Sequence, residues 1–319
     1  MKTALVVAVA LAAMACSPAS IAPPTVDAGS STDAGSATPD QVCKDYAYAR
    51  CTRIDTCSPT AILTGFGSVA TCESYYRQSC AYSLSVPSSN TTPTHTTGCT
   101  AAIAGWACSD IIYGENTPPA CMTVAGTLAN GAACAVSTQC QSAWCQHPSG
   151  SACGTCAPPP QAGSPCVTGT QCGSGFTCFN KACEVHASLG APCGATTPCD
   201  DGLTCVSGVC SAGVATSGAS CSFLGAGCDE YAGLACNAQS GTCQTLQVVP
   251  AGEACGTVAN QLQVCNAGTC VRGTCVGEAA LGAPCALDGS LPCTAFAECI
   301  ATSDGGTTGT CQLPGVACH

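Results

Sequence analysis

Thirty-five cysteines stand in this 319-residue chain, and their spacing limits what it can fold into more than any other feature. From about residue 128 to 318 they recur in units. Glycine precedes cysteine by three positions at Gly131/Cys134, Gly163/Cys166, Gly190/Cys193, Gly218/Cys221, Gly252/Cys255 and Gly282/Cys285. The residue just before each of these cysteines is Pro, Ala or Ser. Successive units start 32, 27, 28, 34 and 30 residues apart, the signature of a tandem array. The second and third units share one frame, Cys166, Cys172, Cys178, Cys183 and then Cys193, Cys199, Cys205, Cys210; the other four close with Gly-x-Cys at Cys156, Cys243, Cys275 and Cys311. Glycines at such fixed places suit tight turns of positive φ, and the prolines fix the entry to a unit.

The cysteines are needed because little else in the chain can build a core. Leu, Ile, Val and Phe together number 48, and five of these lie in the first eleven residues. Each such side chain, once buried, contributes roughly 1.5–3 kcal/mol; the 46% hydrophobic content is mostly Ala and Cys, which fill little volume. A disulfide closing a loop of about 12–15 residues contributes on the order of 3 kcal/mol by restricting the unfolded chain. Bridges therefore replace the missing interior. Metal binding is not expected: the tightest spacing is Cys153-Gly-Thr-Cys156, with no second short pair to complete a zinc site. Seven Lys and Arg against 18 Asp and Glu leave no basic patch, which excludes nucleic acid as an expected partner.

Residues 1–15 read as a signal peptide. Lys2 supplies the positive end, and the apolar run Ala4 to Ala15 is far shorter than the ~20 residues that span a bilayer. Ala13-Met14-Ala15 fits ordinary signal peptidase cleavage. Followed by Cys16, the same residues look like a bacterial lipobox, although Leu is usual where Ala13 stands. Parity favours lipidation of Cys16, since it leaves 34 cysteines that can pair completely. Ser17 is compatible with outer-membrane sorting. Residues 16–42 form the anchor and a Ser/Ala/Thr/Pro/Gly tether, with a reach of roughly 28 Å. The expected location is the bacterial cell envelope, as an outer-membrane lipoprotein facing the surface, or alternatively secretion.

Residues 43–121 carry eight cysteines: Cys43, Cys51, Cys57, Cys72, Cys80, Cys99, Cys108 and Cys121. Helical spacing predicts helices over 40–57, with Asp40 as N-cap, over about 69–82, and over about 98–113. The Ser/Thr/Pro stretch Ser83 to Thr97 reads as a mobile loop. The expected fold is small and disulfide-rich: an N-terminal disulfide-stapled helical domain, then about six short, loop- and hairpin-rich four-cysteine repeats.

Three pairings are open within a four-cysteine unit. We favour first–third with second–fourth: Cys134–Cys145 and Cys140–Cys156, Cys166–Cys178 and Cys172–Cys183, Cys193–Cys205 and Cys199–Cys210. Pairing in the helical region stays open, as does the use of the two surplus cysteines, Cys153 and Cys318. The Gly-x-x-Cys frame, with openings such as Asn130-Gly-Ala-Ala-Cys134, resembles the Dickkopf N-terminal cysteine-rich repeat. With the lipobox and tether, the chain is similar to cysteine-rich surface lipoproteins of myxobacteria; the resemblance implies location and architecture, not an activity.

No catalytic constellation stands out, and no cofactor is expected. Gly65-Phe-Gly67-Ser-Val-Ala70 fits GxGxxA but follows no strand, so it reads as a loop. His95, His147, His186 and His319 are scattered, and Cys153-Gly-Thr-Cys156 lacks the βαβ context of a redox dithiol. Recognition would fall on the variable intervals Gly256 to Val264, Asp229 to Ala235 and Ile300 to Thr310, with Phe223, Tyr231 and Phe296 as candidate anchors. The expected function is a non-enzymatic surface lipoprotein, a structural spacer or adhesion module for an unknown protein or surface ligand, held to the membrane by its N-terminal lipid. The alternative is a protease inhibitor or ligand modulator, because rigid cysteine-bounded loops suit that role.

Overall fold

The structure, a computed structural model, describes residues 38–113, 116–147, 153–166, 172, 176–179, 181–194, 197–200, 203–222, 227–237, 239–294, 297–302, 306–313 and 318. The leader, Cys16 and residues 17–37 of the tether lie outside these residues, whereas its last residues, from Pro39, belong to a helix.

Each of the first four helices starts at a hydroxyl side chain. Helix α1 is Pro39–Cys57, α2 Pro59–Phe66, α3 Val69–Ser85 and α4 Pro93–Ile103; a short α5 follows at Cys108–Tyr113. Thr38, Ser58, Ser68 and Thr92 accept the backbone N–H of the residue three positions on, and proline follows the cap at α1, α2 and α4. Asp40 is therefore not the cap expected for α1. It lies one position inside and binds Lys44 at 2.8 Å and Arg77 at 2.7 Å, which hold its carboxyl below the usual range.

Three further sequence expectations change. Helix α2 stands where no helix is expected, because its eight residues are too few for periodicity to show. Ser83–Ser85 and Pro93–Thr97 are helical, so only residues 86–92 connect α3 to α4. The helix expected over 98–113 breaks after Ile103. There Arg53 donates to the Trp106 carbonyl at 3.0 and 2.7 Å, occupying an acceptor that a continuing helix would use.

Helices α1 and α3 are stapled by Cys43–Cys80 and Cys51–Cys72; Cys57–Cys108 and Cys99–Cys121 tie in the rest. Cys51 and Cys72 are fully buried among Ile54, Ile62, Ile103, Trp106 and Ile111. This region owns a conventional core as well as its bridges.

The repeats are hairpins closed by a third segment. In every unit the turn glycine donates its N–H to the carbonyl of the fourth cysteine at 2.8 Å: Gly131 to Cys156, Gly163 to Cys183, Gly190 to Cys210, Gly218 to Cys243, Gly252 to Cys275 and Gly282 to Cys311. All six glycines have φ between 80° and 90°. An added Cβ would meet nothing within 4 Å at any of them, so the backbone angle alone demands glycine. The pairing is first–third and second–fourth throughout, from Cys134–Cys145 and Cys140–Cys156 to Cys285–Cys299 and Cys293–Cys311. The third and fourth cysteines face each other across the ladder, as Cys205 and Cys210 do, yet each bonds outward to an earlier one. Positive φ at both Ser207-Gly208 and Arg272-Gly273 gives turns that match the twist of the hairpins they close.

The array curls around the helices, so that residues 37–319 form a single compact unit. Residues 86–92 take hydrogen bonds from the first repeat and its approach: Gln139 Nε2 to the Pro87 carbonyl at 2.9 Å and Thr127 N to Ser88 at 3.0 Å. Helix α2 is held at both ends. Ser58 Oγ donates to the Tyr231 carbonyl of the fourth unit at 3.0 Å, and Ala267 N of the fifth donates to the Leu63 carbonyl at 3.1 Å. Cys153 of the first unit bonds Cys318, 165 residues away, and turns the array into a ring.

Ser58 serves α2 as cap and the fourth unit as donor, and is 1% exposed. Ser58→Ala is expected to lower stability by about 1–2 kcal/mol, more than a surface cap loses, because a buried carbonyl also loses its partner. Denaturant titration of the oxidised protein checks this; an unaltered midpoint would mean the joint does not depend on that hydroxyl.

Candidate functional site

The motifs singled out in the sequence disperse on folding. Gly65 to Ala70 spans the junction of α2 and α3: Gly67, at φ 76°, ends one helix and Ser68 caps the next. Cys153 and Cys156 serve different bonds, to Cys318 and to Cys140, so they are not a dithiol pair. His95 lies on α4, His147 on the exposed end of the first unit, and His186 between the second and third units. Tyr231 is half-buried at the α2 contact. Phe223, Phe296 and His319 lie outside the described residues. The cysteine clusters that bring three sulfur atoms close together are made of bridged pairs.

A different place has the geometry of a binding site. Between the helices and the first three units lies a cleft of about 780 Å³. Arg50 and Trp106 come from the helical region, Trp144 from the first unit, Pro159 and Pro160 from the strap that follows, and Phe176 from the second unit. The chain has only two tryptophans, and both are here.

Arg50 is fixed by rings. Its guanidinium carbon sits 4.7 Å from the centre of Tyr76 and 5.2 Å from that of Trp106. Burial works to depress its pKa, but the nearby phenols of Tyr46 and Tyr76 outweigh that and leave it raised. Burial also pushes the Tyr46 hydroxyl up. Tyr46 meets Tyr76 edge-on at 6.1 Å, and Phe66, Tyr75 and Tyr76 pack at 4.9–5.8 Å. On the opposite wall His186 Nδ1 lies 3.5 Å from Asp200 Oδ1. The site thus offers one cation, a wide aromatic and proline surface, and a carboxylate already engaged by a histidine.

A second joint lies near the ring closure. Glu298 of the last unit sits in the field of Tyr75 and Tyr82 on α3; burial raises its carboxyl above the ordinary value, and His147 of the first unit opposes the rise. The first and last units are joined covalently by Cys153–Cys318.

Sequence reasoning missed the cleft. The rarity of tryptophan and arginine was a usable signal, but their convergence from 94 residues of separation, Arg50 to Trp144, is a tertiary event. Compared with known proteins, the chain matches no family model, no curated sequence and no solved structure. It is a cysteine-rich repeat protein with 17 disulfides, a number that belongs to an oxidising environment outside the cytosol. Among the described residues no helix is long and apolar enough to cross a membrane.

Proposed function

We propose that this chain is a non-enzymatic interaction module of the bacterial cell envelope, tethered by lipid on Cys16 and displaying a rigid ring of six repeats. The observation that carries the reading is the use of sulfur. Seventeen bridges take up 34 of the 35 cysteines, every one among the described residues. Acylation gives the thirty-fifth, Cys16, a role that avoids a stray thiol in an oxidising compartment. The resemblance to surface lipoproteins with Dickkopf-like repeats agrees with this, as does the acidic, aromatic-poor exterior, which suits a soluble domain held off a membrane. Loops braced by short disulfide rings lose little entropy on binding, the property a recognition surface needs.

Fractionation of the native protein tests the anchor. The wild type is expected in the membrane fraction, released only by detergent, and its N-terminal peptide should carry the mass of attached acyl chains. Cys16→Ser should move it to the aqueous phase. Finding both forms in the aqueous phase would overturn the anchored reading and leave a secreted module.

A further inference from the structure

We infer that the cleft between the helices and the first three repeats binds an extended, proline-containing peptide segment that carries carboxylate groups. The inference rests on the interaction-module reading and names the partner class for it. The shape comes first. In a cleft of about 780 Å³, Trp144, Phe176, Pro159 and Pro160 bring flat, stiff groups to the wall, and the buried ring of Trp106, 4% exposed, lies at its edge. Aromatic-lined grooves take polyproline segments because such a segment is already extended and loses little freedom on docking.

Hydrogen-bonding capacity then separates a peptide from a sugar. Saccharide hydroxyls are donors as well as acceptors and call for carboxylates in the site. Among the described residues Asp200 is the one carboxylate lining this cleft, and His186 Nδ1 lies 3.5 Å from it. Asn116, Thr117, Ser142 and Gln161 can donate or accept, whereas the five N–H groups of Arg50 and the indole N–H of Trp144 can only donate. The Nε of Arg50 is enclosed without a hydrogen-bond partner. Proline-rich backbone supplies carbonyl acceptors without N–H donors, which matches this wall.

Charge supplies the last element. The chain carries a net −11, so an acidic ligand is repelled almost everywhere else. Among the described residues Arg50 is the one Lys or Arg lining the cleft, and Arg53, one turn on, donates to the carbonyl of Trp106. An acidic group docked against Arg50 in a partly dehydrated site gains more than it would on an open surface.

Both tryptophans line the cleft, so intrinsic tryptophan emission of the intact oxidised protein reads this site directly. The probe is the blocked peptide Pro-Pro-Glu-Pro-Pro-Asp-Pro-Pro. Its charge-reversed control has lysine in place of both acids, and a neutral hexasaccharide is the third ligand. The acidic peptide should give a saturable emission change, bind about tenfold more tightly than the lysine version, and weaken as salt rises. Trp144→Ala, at a half-buried position, should cost about tenfold in affinity, with Trp106 still reporting; Phe176→Ala provides a second variant should the first fail to fold. Equal binding of the lysine peptide, saturation by the saccharide alone, affinity unmoved by both variants, or no saturable change up to millimolar peptide would each overturn the inference. Membrane fractionation is blind to the cleft, so a failure here and a failure of the anchored reading can be told apart.

Discussion

With Cys153 and Cys318 both replaced by serine, the ring opens while the six units keep their own bridges. The bond spans 165 residues, whereas the next longest separation in the chain is 51. A crosslink over so long a loop has an entropic ceiling of about 5 kcal/mol. The other bridges shorten the path around the ring, so its share falls below that ceiling. The expected result is therefore a change of shape more than of local order. The radius of gyration should rise in small-angle scattering, proteases should gain access to the strap at 157–162, and tryptophan emission should shift to the red as Trp144 leaves its neighbours. Disulfide mapping by mass spectrometry should find the remaining 16 bridges intact. An unaltered radius together with an unaltered cleavage map would mean that non-covalent contacts close the ring unaided.

Complete reduction should have the largest effect of all, and an uneven one. Each repeat has a core made mainly of its own sulfur: Cys134, Cys140, Cys145 and Cys156 with Leu128 beside them in the first, Cys166, Cys172 and Cys183 with Phe176 in the second. Once those bonds are cut, the first unit keeps three strands of two or three residues beside Leu128 and the second one short hairpin beside Phe176, too little to hold together in water. The helical region differs. Ile54, Ile62, Ile103, Trp106 and Ile111 are all buried there, and four hydroxyl caps support its helices. Under strong reductant, the strand contribution to circular dichroism and the amide dispersion of the repeats should vanish, while part of the helical signal persists. Repeats that stayed folded with all thiols free would show that sulfur links are not their interior.

Much of this architecture was legible in advance because its causes are local. The six glycines three positions before a cysteine announced left-handed turns, and all six adopt them. Cys43 and Cys51 are eight residues apart, as are Cys72 and Cys80, and that matched spacing is what two antiparallel helices need for a double staple. The spacing is visible in the sequence, whereas the pairing is set by how the two helices pack. The shared Gly-x-Cys ending concealed two physical demands. Gly241 and Gly273 are left-handed turn residues, whereas Gly154 and Gly309 sit in strands, where a side chain would strike the backbone of Gln146 or Ile300. Helix α2 escaped notice because eight residues give too few turns for a pattern, even with Ser58-Pro59 marking its start.

By itself the sequence determined the kind of molecule: a chain poor in large apolar side chains that sulfur must hold together, cut into turns at fixed intervals. Those properties live within a few residues of one another, where spacing and backbone angles decide the outcome. Only the tertiary structure decided that the array bends back to bond its first unit to its end, that α2 is gripped at both termini, and that Arg50, Trp106, Trp144 and Phe176 share one cleft. Residues that far apart carry no mark of each other along the chain. Their meeting depends on how successive rigid units are angled, and that is set by the sum of many contacts rather than by any one motif.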